Sequence, residues 1–162
     1  MAVPQKLQFL AETVLLESTH LQTTDSRLFA STMTAERAEG LRSDVDLSER
    51  TDAFVARFGR LQDTLADKLL PELLHWLAEP VGPAIDNLNR AERLGWIRSV
   101  ETWITVRRLR NRMIHEYVRD SAELAMTLTA AHDAVPLLAE SASVMAAKVL
   151  TASTSTTLPH QA

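Results

Sequence analysis

The clearest helical pattern of the chain lies in residues 47–79, LSERTDAFVARFGRLQDTLADKLLPELLHWLAE, which we call the deciding stretch. Its apolar residues recur at steps of three, four or seven positions, which is the spacing of one face of an α-helix. That face consists of Leu47, Phe54, Phe58, Leu61, Leu65, Leu69, Leu73 and Leu77. Ser48 can cap the helix at its start, and Pro71 inside the pattern predicts a kink or a break. The stretch therefore predicts a long amphipathic helix with one irregularity.

Helical spacing also occurs before this stretch. Apolar residues at helical steps predict a first helix from about Pro4 to Leu21, with the proline in its first turn. The polar stretch that follows has weaker periodicity. It has room for short helices such as Asp25–Met33 and Ala35–Arg42.

Three more helices are predicted after the deciding stretch. They are a short helix from about Pro83 to Leu94, a helix from Val100 to about Val118, and a last helix from Ser121 to about Leu150. Gly95 is a natural residue to end the first of them, because glycine readily adopts the left-handed conformation found after helix ends. Ser99 can cap the second.

Composition agrees with a single helical domain. The chain has 162 residues, of which 46% are hydrophobic and 23% charged, so it can bury a core of ordinary size. Only 4 glycines and 6 prolines argue against a turn-rich β-sandwich or a glycine-looped nucleotide fold. Residues 151–162 are rich in Ser and Thr and lack periodicity. The sequence predicts an all-α bundle over residues 1–150 and a disordered tail over residues 151–162.

Other features narrow the class of protein. No run of 18 residues is free of charge, and the first ten residues lack a basic region followed by an apolar block. We therefore expect neither a membrane span nor a secretory signal, and a cytoplasmic location. The absence of cysteine excludes disulfides, thiol nucleophiles and cysteine-ligated metal sites.

Two short motifs resemble metal sites but lack essential parts. Asp44-x-Asp46 has the spacing of a nucleotidyltransferase metal site, yet no Gly-Ser pair precedes it and no strand pattern carries it. Acidic residues before a helix are usually caps, which is the interpretation we adopt. His115-Glu116 begins like a zincin motif, but Arg119 occupies the position of the second histidine. The sequence predicts no metal and no cofactor.

Positive charge is concentrated in one part of the chain. The net charge is −4, which argues against a protein that coats nucleic acid non-specifically. Fourteen of the 17 basic residues are arginine. The segment from Arg90 to Arg119 contains eight arginines and three glutamates, which gives it a local net charge of +5. Arginine is suited to bidentate contacts with phosphate. This segment is therefore the predicted binding place for an anion.

Within that segment, the stretch RRLRNRMIHEY at residues 107–117 carries the chemistry. On a helix, Asn111 and His115 lie one turn apart, and Arg110 nearly eclipses Tyr117 two turns away. Arg110 and His115 are about 140° apart, but arginine is long enough to reach round to a groove above Asn111. A phosphate there would meet a permanent cation, an amide and a group that titrates near neutral pH. These groups suit acid/base cleavage of RNA.

Two alternatives stay open on these residues alone. The stretch can be a solvated, arginine-rich helix face with no chemistry. Arg108 lies about 20° from His115 around the helix, so it can hold a phosphate in place of Arg110. The three tryptophans of the chain are likewise interpreted as core or interface anchors and not as surfaces on which bases stack.

The motif Arg110-Asn111-x-x-x-His115-x-Tyr117 resembles the Arg-x4-His-x-Tyr signature of HEPN domains. In particular, it resembles the HepT-like toxins that are paired with minimal nucleotidyltransferase antitoxins. The approach to the motif is similar to that family too, and it reads Ile85-Asp86-x-Leu88-Asn89-Arg90-Ala91-Glu92-Arg93-Leu94-Gly95, with Trp103 after it. The resemblance covers roughly residues 47–149.

The resemblance implies an antiparallel HEPN bundle of about five helices that forms a homodimer with its cleft on the two-fold axis. It implies a metal-independent endoribonuclease, the toxin of a type VII-like toxin–antitoxin pair, acting on RNA such as tRNA or mRNA. Arg110 and His115 are then catalytic, and Asn111 and Arg108 bind phosphate. The nucleotidyltransferase partner transfers AMP to Tyr117 and so blocks the cleft. The alternative is a non-catalytic helical partner, or substrate-binding subunit, of such a nucleotidyltransferase.

Overall fold

The computed structural model describes residues 2–115 and 120–156, and within these ranges it is all-helical, with no strand. The helices are α1 (Gln5–Leu28), α2 (Ala35–Glu39), α3 (Val45–Asp63), α4 (Leu70–Trp76), α5 (Ala84–Arg93), α6 (Val100–His115) and α7 (Ser121–Thr156). A short 3₁₀ turn, Gly40–Arg42, follows α2, and a π-helical turn, Thr64–Leu69, joins α3 to α4. The all-α prediction is confirmed.

The first helix is longer than the sequence predicted. Its predicted end at Leu21, with a separate helix from Asp25, is wrong, because α1 continues to Leu28. Thr24 and Leu28 extend its buried face, and the Asp25 carboxylate lies 2.6 Å from Nδ1 of His132 in α7. Tertiary contacts thus support a last turn whose own sequence is too polar to show the pattern.

The deciding stretch forms one continuous helical rod of α3, the π-helical turn and α4. Asp44 caps it, since its carboxylate accepts a hydrogen bond from the Leu47 backbone N–H at 3.0 Å. The predicted cap at Ser48 is therefore wrong by one turn. Pro71 does not break the rod. The wider π-helical turn stands immediately before it, where a proline ring would otherwise crowd the carbonyl four residues back.

One hydrophobic cluster contains residues from every helix. The predicted face of the rod is buried from Leu47 to Leu73, whereas Leu77 is 40% exposed because the helix has already ended at Trp76. Along α7 the cluster takes Leu124, Leu128, Val135, Leu138, Met145 and Val149. These residues pack α7 mainly against α1, α2 and α6.

The last helix differs from the prediction in two respects. It continues to Thr156, so residues 151–156 are helical and not part of a disordered tail, while residues 157–162 lie outside the described residues. By length and composition, Ser121–Ser155 is also apolar enough to cross a membrane, since an 18-residue window within it has a mean hydropathy of 1.3. A core helix of a soluble protein meets the same criterion, and 39% of that window is buried in the bundle.

The end of α5 at Gly95 is confirmed. Gly95 has φ +76°, its backbone N–H donates to the Glu92 carbonyl at 3.0 Å, and the Trp96 N–H donates to the Ala91 carbonyl at 2.8 Å. This is the Schellman arrangement. Ser99 caps α6 as predicted, with its hydroxyl accepting from the Thr102 N–H at 3.3 Å. The two caps fix the direction in which α6 leaves α5.

We expect Gly95→Ala to lower the free energy of unfolding by about 1 kcal/mol, because a Cβ is strained at positive φ. A Cβ at this position meets no atom within 4 Å, so the backbone alone is responsible. Thermal unfolding should show a melting temperature lower by roughly 2–4 °C. Gly82→Ala is the matched control, since its Cβ would make only an ordinary 3.5 Å contact with Asp86. Equal melting temperatures for both variants would contradict the prediction.

Candidate functional site

Helix α6 lies between two concave surfaces. On one side is a groove of about 990 Å³. We call it the α3–α6 groove, and it is lined by Asp52, Val55, Ala56, Gly59, Arg60, Asp63, Thr64, Asp67, Lys68, Arg107, Arg110 and Met113. On the other side is a pocket of about 260 Å³. We call it the α5–α6 pocket, and it is lined by Gln62, Ala66, Ala84, Ile85, Leu88, Trp103, Ile104, Arg107, Arg108 and Asn111.

Arg110 lies in the α3–α6 groove and is held there by α3. Its Nη2 donates to Oδ2 of Asp63 at 2.8 Å, and its side chain is 32% exposed. Gly59 makes this close approach possible, because a Cβ at that position would stand 3.2 Å from Nε of Arg110. The buried Nε has no hydrogen-bond partner among the described residues. Arg110 is thus fixed in direction, with part of its charge offset by a carboxylate.

The rest of the groove mixes charges of both signs. Its basic side chains are Arg60, Lys68, Arg107 and Arg110, and its acidic ones are Asp52, Asp63 and Asp67. Arg107 lies 4.0 Å from Asp67. The groove therefore carries a small positive excess, and an anion would compete there with carboxylates that are already in place.

A carboxyl group from α1 borders the π-helical turn. Glu17 accepts a hydrogen bond from the Thr64 hydroxyl at 3.2 Å, and its other oxygen is buried without a partner among the described residues. Burial raises the pKa of the Glu17 carboxyl, although the bond from Thr64 and the charge of Arg60 lower it. The charge of Glu17 is therefore less favoured than that of an exposed glutamate.

The other predicted site residues lie on the opposite side of α6. Arg108 and Asn111 line the α5–α6 pocket, and both are exposed. Arg108 has no ion-pair partner in the described part of the chain, whereas Nη1 of Arg110 reaches the Asn111 oxygen at 3.4 Å. His115 is the last described residue of α6, one turn beyond Asn111 and two turns beyond Arg108. Tyr117 lies outside the described residues.

The interpretation of Asp44 as a cap, rather than as a metal ligand, is confirmed by its bond to the Leu47 N–H. Within residues 2–115 and 120–156, no group of three or more His, Asp or Glu side chains is placed to hold a metal ion. The arrangement around α6 is instead one of arginines, an amide and a histidine position. Such groups bind and cleave phosphate esters by charge and proton transfer.

Several residues around α6 were missed from the sequence. Asp63 and Gln62 are one residue apart in α3 yet serve the two different concavities, and Trp103 was interpreted only as an anchor. Gly59 carried a usable signal, because a glycine inside a strongly periodic helix usually has a packing reason. Glu17 carried a signal as well, because it lies seven residues after Leu10 and four before Leu21, on the apolar face of α1.

Comparison of the chain with protein-family models, curated proteins and solved structures finds no match. The resemblance described above therefore rests on the quoted motif and on its position in α6. What the chain does has to be inferred from the side chains of the two concavities and from the chemistry that they allow.

Proposed function

We propose that this protein is a metal-independent endoribonuclease of the HEPN type, the toxin of a pair whose antitoxin is a minimal nucleotidyltransferase. The observation that carries the proposal is the arrangement of α6. Arg108 and Asn111 are exposed along one stripe that leads to His115, and Arg110 is fixed beside them by Asp63. An unpaired cation, an amide and a histidine on one stripe suit a phosphodiester in RNA.

The proposed reaction is an internal transfer followed by chain separation. His115 takes the proton from a ribose 2′-hydroxyl, and the resulting oxygen attacks the neighbouring phosphorus. The bond from phosphorus to the 5′-oxygen breaks, that oxygen takes a proton from water while His115 returns its proton to the solvent, and the products are a 2′,3′-cyclic phosphate and a 5′-hydroxyl. Arg110 stabilises the charge that grows on the phosphate oxygens, and Asn111 orients His115 or binds the phosphate. No metal or cofactor is needed.

The test of this function is incubation of the purified, unmodified protein with tRNA in the presence of EDTA. We expect cleavage, and growth arrest when the chain is expressed alone in a bacterial cytoplasm. Growth arrest distinguishes the toxin from a non-catalytic partner of a nucleotidyltransferase, which would leave growth unchanged. Loss of cleavage on addition of EDTA would indicate a metal mechanism instead.

We expect the protein to be a two-fold homodimer with α6 in its interface. In one copy Arg110 faces α3 while Arg108 and Asn111 face α5, so the predicted groups enclose no single cleft. An isologous pair of α6 helices would bring two sets of these groups round one axis. Light scattering at micromolar concentration should give twice the chain mass of 18.0 kDa. A strictly monomeric protein would contradict this arrangement.

We expect Tyr117 to be the point of control by the antitoxin. On the helix that the sequence predicts from Val100 to about Val118, Arg110 and Tyr117 lie two turns apart, so we expect AMP on the phenol oxygen to place a phosphate near Arg110 and to exclude RNA by charge and by bulk. Tyr117→Phe should stay toxic and escape neutralisation, since only the acceptor oxygen is lost. Mass spectrometry after co-expression with the nucleotidyltransferase should show AMP on the peptide that contains Tyr117. Neutralisation with that peptide unmodified would mean inhibition by complex formation alone.

A further inference from the structure

The α5–α6 pocket contains two buried polar groups that have no partner. Trp103 and Gln62 are each 2% exposed, and both line the pocket. Neither the indole N–H of Trp103 nor the Oε1 of Gln62 forms a hydrogen bond with a described residue. Burying a donor or an acceptor without a partner is destabilising, and folded proteins keep few such groups. Because both residues line the same pocket, a ligand that enters it and shifts their side chains is a candidate partner for both atoms.

The volume and the remaining lining of the pocket suit a small, largely apolar body such as a single ring system. The remaining inner wall is made of Ala66, Ala84, Ile85, Leu88 and Ile104. The volume of about 260 Å³ is below the range of roughly 300–1,000 Å³ that holds a whole drug-sized ligand. The pocket can therefore enclose one aromatic ring system, with anything attached to that ring remaining outside.

The rim of the pocket selects an anion attached to that body. Arg107, Arg108 and Asn111 line its outer part, and all three are exposed. Arg108 has no carboxylate beside it among the described residues, so its donors are available to a phosphate. A flat ring with a hydrogen-bonding edge and a phosphate a few ångströms away is a nucleotide.

We propose that the α5–α6 pocket binds one nucleobase of an RNA strand, with the adjoining phosphate against Arg108 and Asn111. The Trp103 N–H donates to an acceptor on the base edge. The Gln62 amide accepts from an amino group, or donates after a half turn of its amide. Because both atoms have almost no accessible surface in the free protein, the Trp103 indole and the Gln62 amide both shift toward the pocket as the base enters. This inference rests on the proposed function in one respect only, namely that RNA is the molecule that supplies the base.

Binding of the four ribonucleoside 5′-monophosphates to the full chain, measured by calorimetry, tests this site without any cleavage. Ribose 5-phosphate is the reference, since it has the phosphate and lacks the base. We expect at least one mononucleotide to bind about tenfold more tightly than ribose 5-phosphate, and Gln62→Leu to remove about tenfold of that affinity. Thr51→Val, another buried polar residue of α3 replaced by an apolar one, should bind as the parent protein does.

A second variant keeps the test decisive if Gln62→Leu unfolds. Arg108→Gln at the exposed rim should weaken the binding of every mononucleotide and of ribose 5-phosphate, whereas Arg98→Gln, outside the pocket lining and paired with Glu140, should weaken none. A mononucleotide that binds no better than ribose 5-phosphate would overturn the proposal. So would a folded Gln62→Leu variant with unchanged affinity.

The outcomes also separate this site from the ribonuclease. Cleavage of RNA without a preference for any mononucleotide would refute the pocket alone. Binding of a mononucleotide by a protein that cleaves no RNA would support the pocket and refute the ribonuclease. A short single-stranded oligoribonucleotide should displace the bound mononucleotide, and failure to displace it would refute RNA as the source of the base.

Discussion

His115→Ala should reduce RNA cleavage in EDTA by about 10²–10⁴-fold, the usual effect of removing a positioned acid/base group. The reason is that histidine is the residue of the proposed stripe whose side-chain type serves as a general acid or base, whereas a guanidinium and an amide do not. The measurement is the initial rate of tRNA cleavage by purified protein. The melting temperature of the variant should stay close to that of the parent.

The matched control is His75→Ala, because His75 is exposed on α4 and lies in neither concavity. Its cleavage rate should equal that of the parent protein. Full activity of His115→Ala would refute the assignment of His115 as the acid/base group. Equal losses of activity in both variants would indicate a general effect on the fold. Both variants should be purified from cells that lack the nucleotidyltransferase, so that modification of Tyr117 does not reduce the rates.

Periodicity predicted the parts of the fold that are determined locally. The face of α3 from Leu47 to Phe58, the glycine that ends α5 and the cap of α6 all follow from residues within about three turns of one another. The last turn of α1 was missed because its support comes from His132, 107 positions away. A side-chain contact with a distant helix leaves no mark in the spacing of either segment.

The same limit applies to the site. Sequence spacing placed Arg108 and Asn111 on one stripe, and the structure puts both at the α5–α6 pocket. Spacing could not find Asp63, which pairs with Arg110 across 47 positions, or the unpartnered oxygen of Gln62. The π-helical turn was beyond prediction as well. Pro71 indicated an irregularity, but its form depends on how the turn packs between α1 and α5.

We expect Asp63→Asn to bind RNA more tightly than the parent protein does, because of the pairing of Asp63 with Arg110. The carboxylate now offsets the charge of Arg110 at 2.8 Å, so its removal frees one cation for phosphate. The logarithm of the RNA affinity should then depend more steeply on salt, by about 0.7 per additional phosphate contact on a single strand. If Arg110 serves only to hold α6 against α3, the salt dependence of RNA binding should stay the same in Asp63→Asn.

Arg110→Ala should lower the rate of cleavage by about 10²–10³-fold, the usual effect of removing a donor that stabilises charge in a transition state. Arg108→Ala is the matched variant on the same helix. It should mainly weaken RNA binding and should keep more turnover, because it removes an attraction made equally to bound RNA and to the transition state. Saturating RNA separates the two, since it restores the rate of Arg108→Ala and not that of Arg110→Ala.

The loss in Arg110→Ala has to be distinguished from damage to the fold, because Asp63 is left without its partner and Gly59 without the side chain that packs on it. The double variant Asp63→Asn/Arg110→Gln removes both charges together and replaces them with neutral amides of similar shape. Its melting temperature should recover relative to Arg110→Ala, while its cleavage rate should stay low. If its rate recovers too, Arg110 positions α6 and does not act on the phosphate. Arg108, at the rim of the α5–α6 pocket, is then the clamp.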